Sequence, residues 1–346
     1  MILSVISFSD TGSSLAEKLQ AYKRDGWSIE TVRKPSEGLS AWTQRQFYEK
    51  KALIFIGACG IAVRSIAPYI KDKLQDSPVI VIDEKGRYVI PILSGHVGGG
   101  NEIAQEIADY LETDAVITTA TDINHKFSVD VFARRNHLTI LNKDGIVNVS
   151  SAILQGRKIR VSVEGDRWGS EELPNEIEKV SYPPQNKIDV VISTEEAALE
   201  KGILRLKPKQ YILGVGCKRG KTEEELEKFW SDQLNLHHIG WEDVRLIASI
   251  DRKKDEEGIL NFTRRRRIEY QTFSEEKLSS IEGDFSSSEF VKKVIGVDNV
   301  CERAAVAAGG EKGRLILRKQ AEDGMTLAIV KGEWNLDWKG WKSYEA

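Results

Sequence analysis

Pro91–Glu102 reads PILSGHVGGGNE: an apolar run, then Ser94 and His96, three consecutive glycines, and Asn101 and Glu102 opening a new apolar stripe. An imidazole titrates near neutrality and can move a proton to or from a reacting group. Glycines let a ligand approach the backbone, and amides at a helix amino terminus favour an anion. A strand, a glycine turn and a helix in that order would place the amides at the carboxyl edge of a sheet, where open α/β sheets bind ligands. Ser94, His96, Glu102 and Asn101 would surround that spot, with Gly98, Gly99 and Gly100 supplying backbone. The plainer alternative is a tight turn with a surface histidine. The convergence of polar residues on the glycines favours a site.

Three further stretches have related chemistry. GACGIAVR, with Gly57, Gly60 and Arg64, also runs from strand to helix, and Arg64 could meet a carboxylate. Cys59 there is either a nucleophile at a helix amino terminus or a small buried residue, and the second is preferred. TTATD, with Thr118, Thr119, Thr121 and Asp122, is either a binding loop or a helix cap. LGVGCKRGKTEEEL, with Gly214, Gly216, Lys218 and Arg219, has neither Walker nor dinucleotide spacing but suits an anion. Thr222 and Glu225 form a capping box that accounts for part of it.

The elements that must position these residues fall into three parts. In the 346-residue chain, ILSVISF, WSIETV, ALIFIG, SPVIVID and RYVIPIL read as strands, and DAVITTATD as a further buried strand running into a polar loop. Helices alternate with the earlier ones, and EIAQEIADYLE carries Ile103, Ala104, Ile107, Ala108 and Leu111 on one stripe. This predicts a multi-domain α/β protein: a mostly parallel N-terminal domain over 1–130 and a small α+β middle region over 131–209. A C-terminal α/β domain follows over 210–330, with EFVKKVIG among its elements. In a tail over 331–346, Trp334, Trp338 and Trp341 are spaced for a helical packing face.

Composition narrows the function. A net charge of −3 gives no general reason to expect nucleic acid, and RRRR over 264–267 reads as a solvated helix face. No apolar run approaches membrane-spanning length, and no secretory leader is evident. Three scattered cysteines suggest neither disulfides nor structural zinc, and a reducing cytoplasm is expected.

GACGIAVRSIAP, SPVIVIDEKGRYVIPILSGHVGGGNEIA and ITTATD, in that order, resemble the cobalamin-biosynthesis protein G family, the cobalt-precorrin-5A hydrolases. LGVGCKRGKTEEEL, IASIDRKKDEEGIL, GVDNVCERAAVAAGG and the pair Lys319 and Thr326 resemble that family's carboxy-terminal domain. The resemblance runs from about Lys51 to Val330. It implies opening of a δ-lactone by water and release of acetaldehyde, giving cobalt-precorrin-5B in the anaerobic route to vitamin B12. It also implies a cobalt-bearing tetrapyrrole as substrate, with cobalt arriving inside it, so that no cofactor and no protein metal ligands are expected. Neighbouring enzymes of the corrin pathway are expected partners, and nucleic acid and membrane are not.

Lactone opening needs a base and donors for the oxyanion. On chemical grounds His96 is the expected base, oriented by Glu102 or Asp122, with the amides of Gly98–Gly100 and Ser94 holding the oxyanion. Arg64, Lys218 and Arg219 would anchor carboxylates. Three rivals remain: a covalent hydrolase using Ser94 or Cys59, a corrinoid-transfer protein without catalysis, and a nucleotide site at TGSS. LSGHV lacks the GxSxG elbow, and TGSS is most simply a capped helix start.

Overall fold

A computed structural model describes residues 1–169, 172–185, 187–195, 201–285 and 299–339. The chain forms three sheets in sequence order. The first contains β1 (Ile2–Ser7), β2 (Ser28–Arg33), β3 (Ala52–Ile56), β4 (Val79–Ile82), β5 (Tyr88–Leu93) and β6 (Asp114–Ala115), ordered β2-β1-β3-β4-β5-β6. Helices α1 (Asp10–Gln20), α2 (Leu39–Tyr48), α3 (Cys59–Ile66) and α4 (Gly100–Leu111) connect these strands. Strands β3 and β4 are buried throughout, as their unbroken apolar runs require when both faces are covered. The α4 stripe buries Ile103, Ala104, Ile107 and Ala108 in one of the two cores flanking this sheet. Ser9 caps α1 by accepting from the amide of Gly12, which makes TGSS a capped helix start.

One feature of this sheet decides where the site lies. The short DEKG turn joins β4 to β5, and a tight turn of that kind can only reverse the chain. Strand β5 is accordingly antiparallel, with Leu93 opposite Val79. The SGHVGGG turn therefore leaves the sheet at the amino edge of β1–β4, opposite the edge where GACG follows β3. The carboxyl-edge expectation is corrected: Gly57, Gly60 and Arg64 stand at one end of the sheet and His96 at the other. The strand expected at the start of DAVITTATD shortens to Asp114–Ala115, because past the Val116 amide, which donates to the Val89 carbonyl at 2.8 Å, the pairing with β5 ends.

The middle part is more regular than its sequence pattern. After two short helices, α5 (Ala120–Ile123) and α6 (Val129–Arg135), come β7 (Leu138–Ile140), α7 (Lys143–Leu154) and four further strands. These are β8 (Ile159–Val163), β9 (Ile177–Val180), β10 (Val190–Ile192) and β11 (Leu204–Pro208), in the order β7-β11-β10-β8-β9. Only β7 runs antiparallel to its neighbour. Its core gathers residues distant in sequence: Phe127 and Phe132 before it, and Trp334, Leu336 and Trp338 from the tail. The Trp338 ring stacks on Phe132 at 4.4 Å between centroids and on Trp168 at 5.7 Å. Through Asp337 the tail runs without helix, so its tryptophans pack, but not on a helical face. Trp341 lies outside the described residues.

The third sheet is ordered β14-β13-β12-β16-β15. Strands β12 (Tyr211–Cys217), β13 (Val244–Ile250) and β14 (Glu269–Phe273) are parallel, linked by α8 (Glu223–Leu236) and α9 (Glu257–Arg266). The Thr222–Glu225 capping box starts α8. After α10 (Glu275–Ser279), helix α11 (Val300–Gly309) leads into an antiparallel hairpin of β15 (Arg314–Glu322) and β16 (Met325–Lys331). EFVKKVIG lies outside the described residues.

Candidate active site

The glycine turn is built by close approach. A Cβ on Gly98 would lie 2.6 Å from Cβ of Ser94 and 2.7 Å from its carbonyl oxygen, so no larger residue fits there. Gly99 takes φ +78° and passes the chain into α4, a conformation that favours glycine. The turn places the His96 ring over α5 and the start of α6.

There the imidazole lies between two carboxylates. Nε2 is 3.1 Å from Oδ2 of Asp122, and Nδ1 is 3.0 Å from Oδ1 of Asp130. The hydroxyl of Thr121 stands 3.4 Å from Nε2 and that of Ser128 3.3 Å from Nδ1. Ser128 donates to Asp130 at 2.7 Å, and the amide of Val131 donates to the same oxygen at 3.1 Å. The buried amide of Asn101 donates to Asp122 at 2.5 Å and to the Thr119 hydroxyl at 3.1 Å. The His96 side chain retains 14% exposure, Asp122 only 4%.

Burial alone would pull the His96 pKa down. The hydrogen bonds and charges of Asp122 and Asp130 overcome this and raise it from 6.5 to about 9. Burial would likewise raise Asp130, but His96, Ser128 and Lys73 bring it down to about 2. At neutral pH the ring thus carries two protons, one donated to each carboxylate. Both ring nitrogens are engaged by these carboxylates, and the cluster of one cation and two anions carries a net charge of −1.

Several expected roles change with this geometry. His96 does not rest as a free base, because it is already protonated. Glu102 does not orient it, since its Oε1 accepts from Arg134 and Arg135, each at 2.6 Å. Ser94 does not hold an oxyanion: its hydroxyl donates to the carbonyl of Asp76 at 2.8 Å. The amides of Gly99 and Gly100 are spent on the carbonyls of His96 and Ser94. Among these amides, only that of Gly98 has no hydrogen-bond partner among the described residues.

The remaining expected residues scatter. Thr118 is exposed and outside the cluster. Arg64 folds over Gly60 on the far edge of the sheet. Gly214 packs where a Cβ would strike the carbonyl of Cys301, and Gly216 faces Thr326, so both serve packing in the third sheet. Lys218 lies against Gly324, and Arg219 lines a separate hollow with Arg252 and Glu256. Asp130 and Ser128 were not anticipated as site residues. Their one sequence signal is the FSVD run that opens α6.

Beside the turn, Val97 and Gly98 line a cleft of about 1010 Å³ between the first and third sheets. A clamped, charged imidazole on a turn that borders such a cleft, on an α/β framework, suits acid–base chemistry. The family described as Cobalamin synthesis G N-terminal matches residues 41–122, and Cobalamin synthesis G C-terminus matches residues 211–330. The cobalt-precorrin-5A hydrolase of Salmonella typhimurium is 31% identical over 310 residues, covering 85% of this chain and 86% of that protein. That of Priestia megaterium is 33% identical over 300 residues, covering 82% and 80%. A cobalamin biosynthesis protein G homologue from Sulfolobus solfataricus, of solved structure, aligns over 96% of this chain and 97% of its own. Its identity is 24% and its TM-score 0.40. The chain belongs to the cobalamin synthesis G family and is a hydrolase of cobalamin biosynthesis.

Proposed function

We propose that this chain opens the δ-lactone of cobalt-precorrin-5A with water and releases the two-carbon fragment as acetaldehyde, giving cobalt-precorrin-5B. Kinship with relatives of that name supports the reading. The observation that carries it is the Asp122–His96–Asp130 cluster on the glycine turn whose next residues, Val97 and Gly98, line an open cleft. Cobalt enters as part of the substrate.

The three side chains work as one proton-holding unit. Water adds to the lactone carbonyl and passes its proton to Asp122, while the Gly98 N–H and the charge on His96 stabilise the acyl oxygen. The acyl C–O bond then breaks, and the ring oxygen takes a proton back from the unit to leave as a hydroxyl. In the second step that hydroxyl returns its proton, and its carbon–carbon bond to the macrocycle breaks. The bonding electrons stay in the conjugated ring and acetaldehyde departs.

Incubation of the purified protein with cobalt-precorrin-5A tests this, reading acetaldehyde and product mass. Asp122→Asn is expected to slow release by ~100-fold or more. Full release by that variant contradicts the proton route. Bound corrinoid without any acetaldehyde from the unaltered protein replaces hydrolysis with a transfer role.

A further inference from the structure

The cleft beside the glycine turn lies under the amino edge of β1–β4. Lys50 and Arg134 reach its wall from the first and middle parts of the chain, and Lys254, Arg264 and Arg267 reach it from α9 and its flanks. Glu269 is the one acidic residue on that wall among the described residues. Arg134 already has Glu102 as counter-ion. The others contact neutral oxygens where they contact anything: Lys50 the carbonyl of Gln75 at 2.7 Å, and Arg264 the amide oxygen of Asn261 at 3.2 Å. Arg267 contacts the carbonyls of Leu74 and Asp76. Among the described residues, Lys50, Lys254, Arg264 and Arg267 form no ion pair with a carboxylate.

Cations crowded without counter-ions repel one another and favour a bound anion. Burial and then Arg267 hold the Lys50 ammonium below its ordinary value, with the nearby Asp76 carboxylate opposing them only in part. Between the cations the wall is apolar, with Trp27, Pro78, Leu260 and Ile268. Charged rim and apolar wall together suit a flat macrocycle with carboxylates at its perimeter. The volume stands at the upper end of the range for small-molecule sites.

We propose that this cleft seats the macrocycle, with its face on Trp27, Pro78 and Leu260 and its carboxylates held by Lys254, Arg264 and Lys50. This rests on the hydrolase reading and adds where, and by which residues, the substrate is gripped. It moves the carboxylate anchors away from Arg64, Lys218 and Arg219. It also makes binding a joint act of the first and third sheets. Arg267 ties the two together behind the cleft, because the Asp76 carbonyl it contacts also accepts the hydroxyl of Ser94, on the turn that carries His96. A ring held by both walls is thereby held in register with the His96 cluster.

The test uses the full chain and uroporphyrin, an octacarboxylate macrocycle, titrated by its absorbance shift. The Lys254→Ala/Arg264→Ala variant is expected to bind it at least ~10-fold more weakly than the unaltered protein, the scale of one lost charge-assisted contact. Lys312→Ala/Arg318→Ala, which removes as many cations from around the distant β15 edge, is expected to bind as the unaltered protein does. Circular dichroism establishes that both variants are folded. Equal affinity of the two variants, or no binding by the unaltered protein, overturns the cleft assignment even when acetaldehyde release is intact. Weakened binding in the cleft variant alone, with no acetaldehyde released by the unaltered protein, sustains the cleft and removes the hydrolase reading.

Discussion

Asp130 holds Nδ1 of His96 at 3.0 Å, on the opposite side of the ring from Asp122. This one contact changes the chemistry available. A histidine with a single carboxylate partner keeps its other nitrogen for a substrate proton. With a carboxylate on each nitrogen the ring stays charged at neutral pH, and neither nitrogen is left free for a substrate proton. It also bridges the SGHVGGG turn to α6, joining the first sheet to the helix that enters the middle core.

The bridge gives stability a defined pH window. His96 is raised from 6.5 to about 9, so its contribution is complete below pH 6.5 and is lost as pH rises through about 9. Asp130 is lowered from 3.8 to about 2, so its contribution is present above pH 3.8 and is lost as pH falls through about 2. The His96 shift also contains the Asp122 contact, so the two shifts overlap in part and do not add. The three-residue cluster together is worth ~3 kcal/mol in the plateau. Thermal melts are expected to show a plateau between these limits and a decline above pH 6.5 that Asp130→Asn flattens. Parallel alkaline declines in both proteins would contradict the bridge.

Gly98→Ala tests the turn. The new methyl would meet Ser94 at 2.6 Å from Cβ and 2.7 Å from the carbonyl, so the turn must open to admit it. Overpacking of this kind costs ~1–3 kcal/mol. The melting temperature is expected to fall and acetaldehyde release to fall further, because the Gly98 amide moves with the turn. A variant with unaltered release would remove that amide from the mechanism.

Glu102→Gln separates orientation from packing. Glu102 contacts Arg134 and Arg135 and not His96. These partly exposed pairs are worth no more than ~1 kcal/mol. The variant is expected to keep the alkaline limit of the unaltered enzyme. A limit displaced downward would restore Glu102 as the partner of His96.

Much of the framework was legible from local pattern, and the errors share a physical cause. The apolar runs of β3 and β4 and the stripe of α4 each announce an element through its own residues. The direction of β5 depends on DEKG, a turn visible in the sequence whose consequence is a reversal, and that reversal moves His96 to the other edge of the sheet. Helix α7 was missed because KDGIVNVSSAIL is rich in weak helix formers. Ile146, Val149, Ala152 and Ile153 form it by burying one face. Within the site, Ser94, His96, Asn101, Glu102 and Asp122 were singled out by type. Which of them touch His96 was not legible, because Asp130 reaches the ring only through tertiary folding.

The most direct measurement is the pH dependence of acetaldehyde release from cobalt-precorrin-5A by the unaltered protein and by Asp130→Asn. The unaltered protein is expected to stay active through neutrality and to lose rate as His96 deprotonates near pH 9. In Asp130→Asn, which removes one of the two charges raising His96, the limit should move toward neutrality by at least ~1 pH unit. An alkaline limit shared by both proteins, or a rate that rises as His96 loses its proton, would contradict the account.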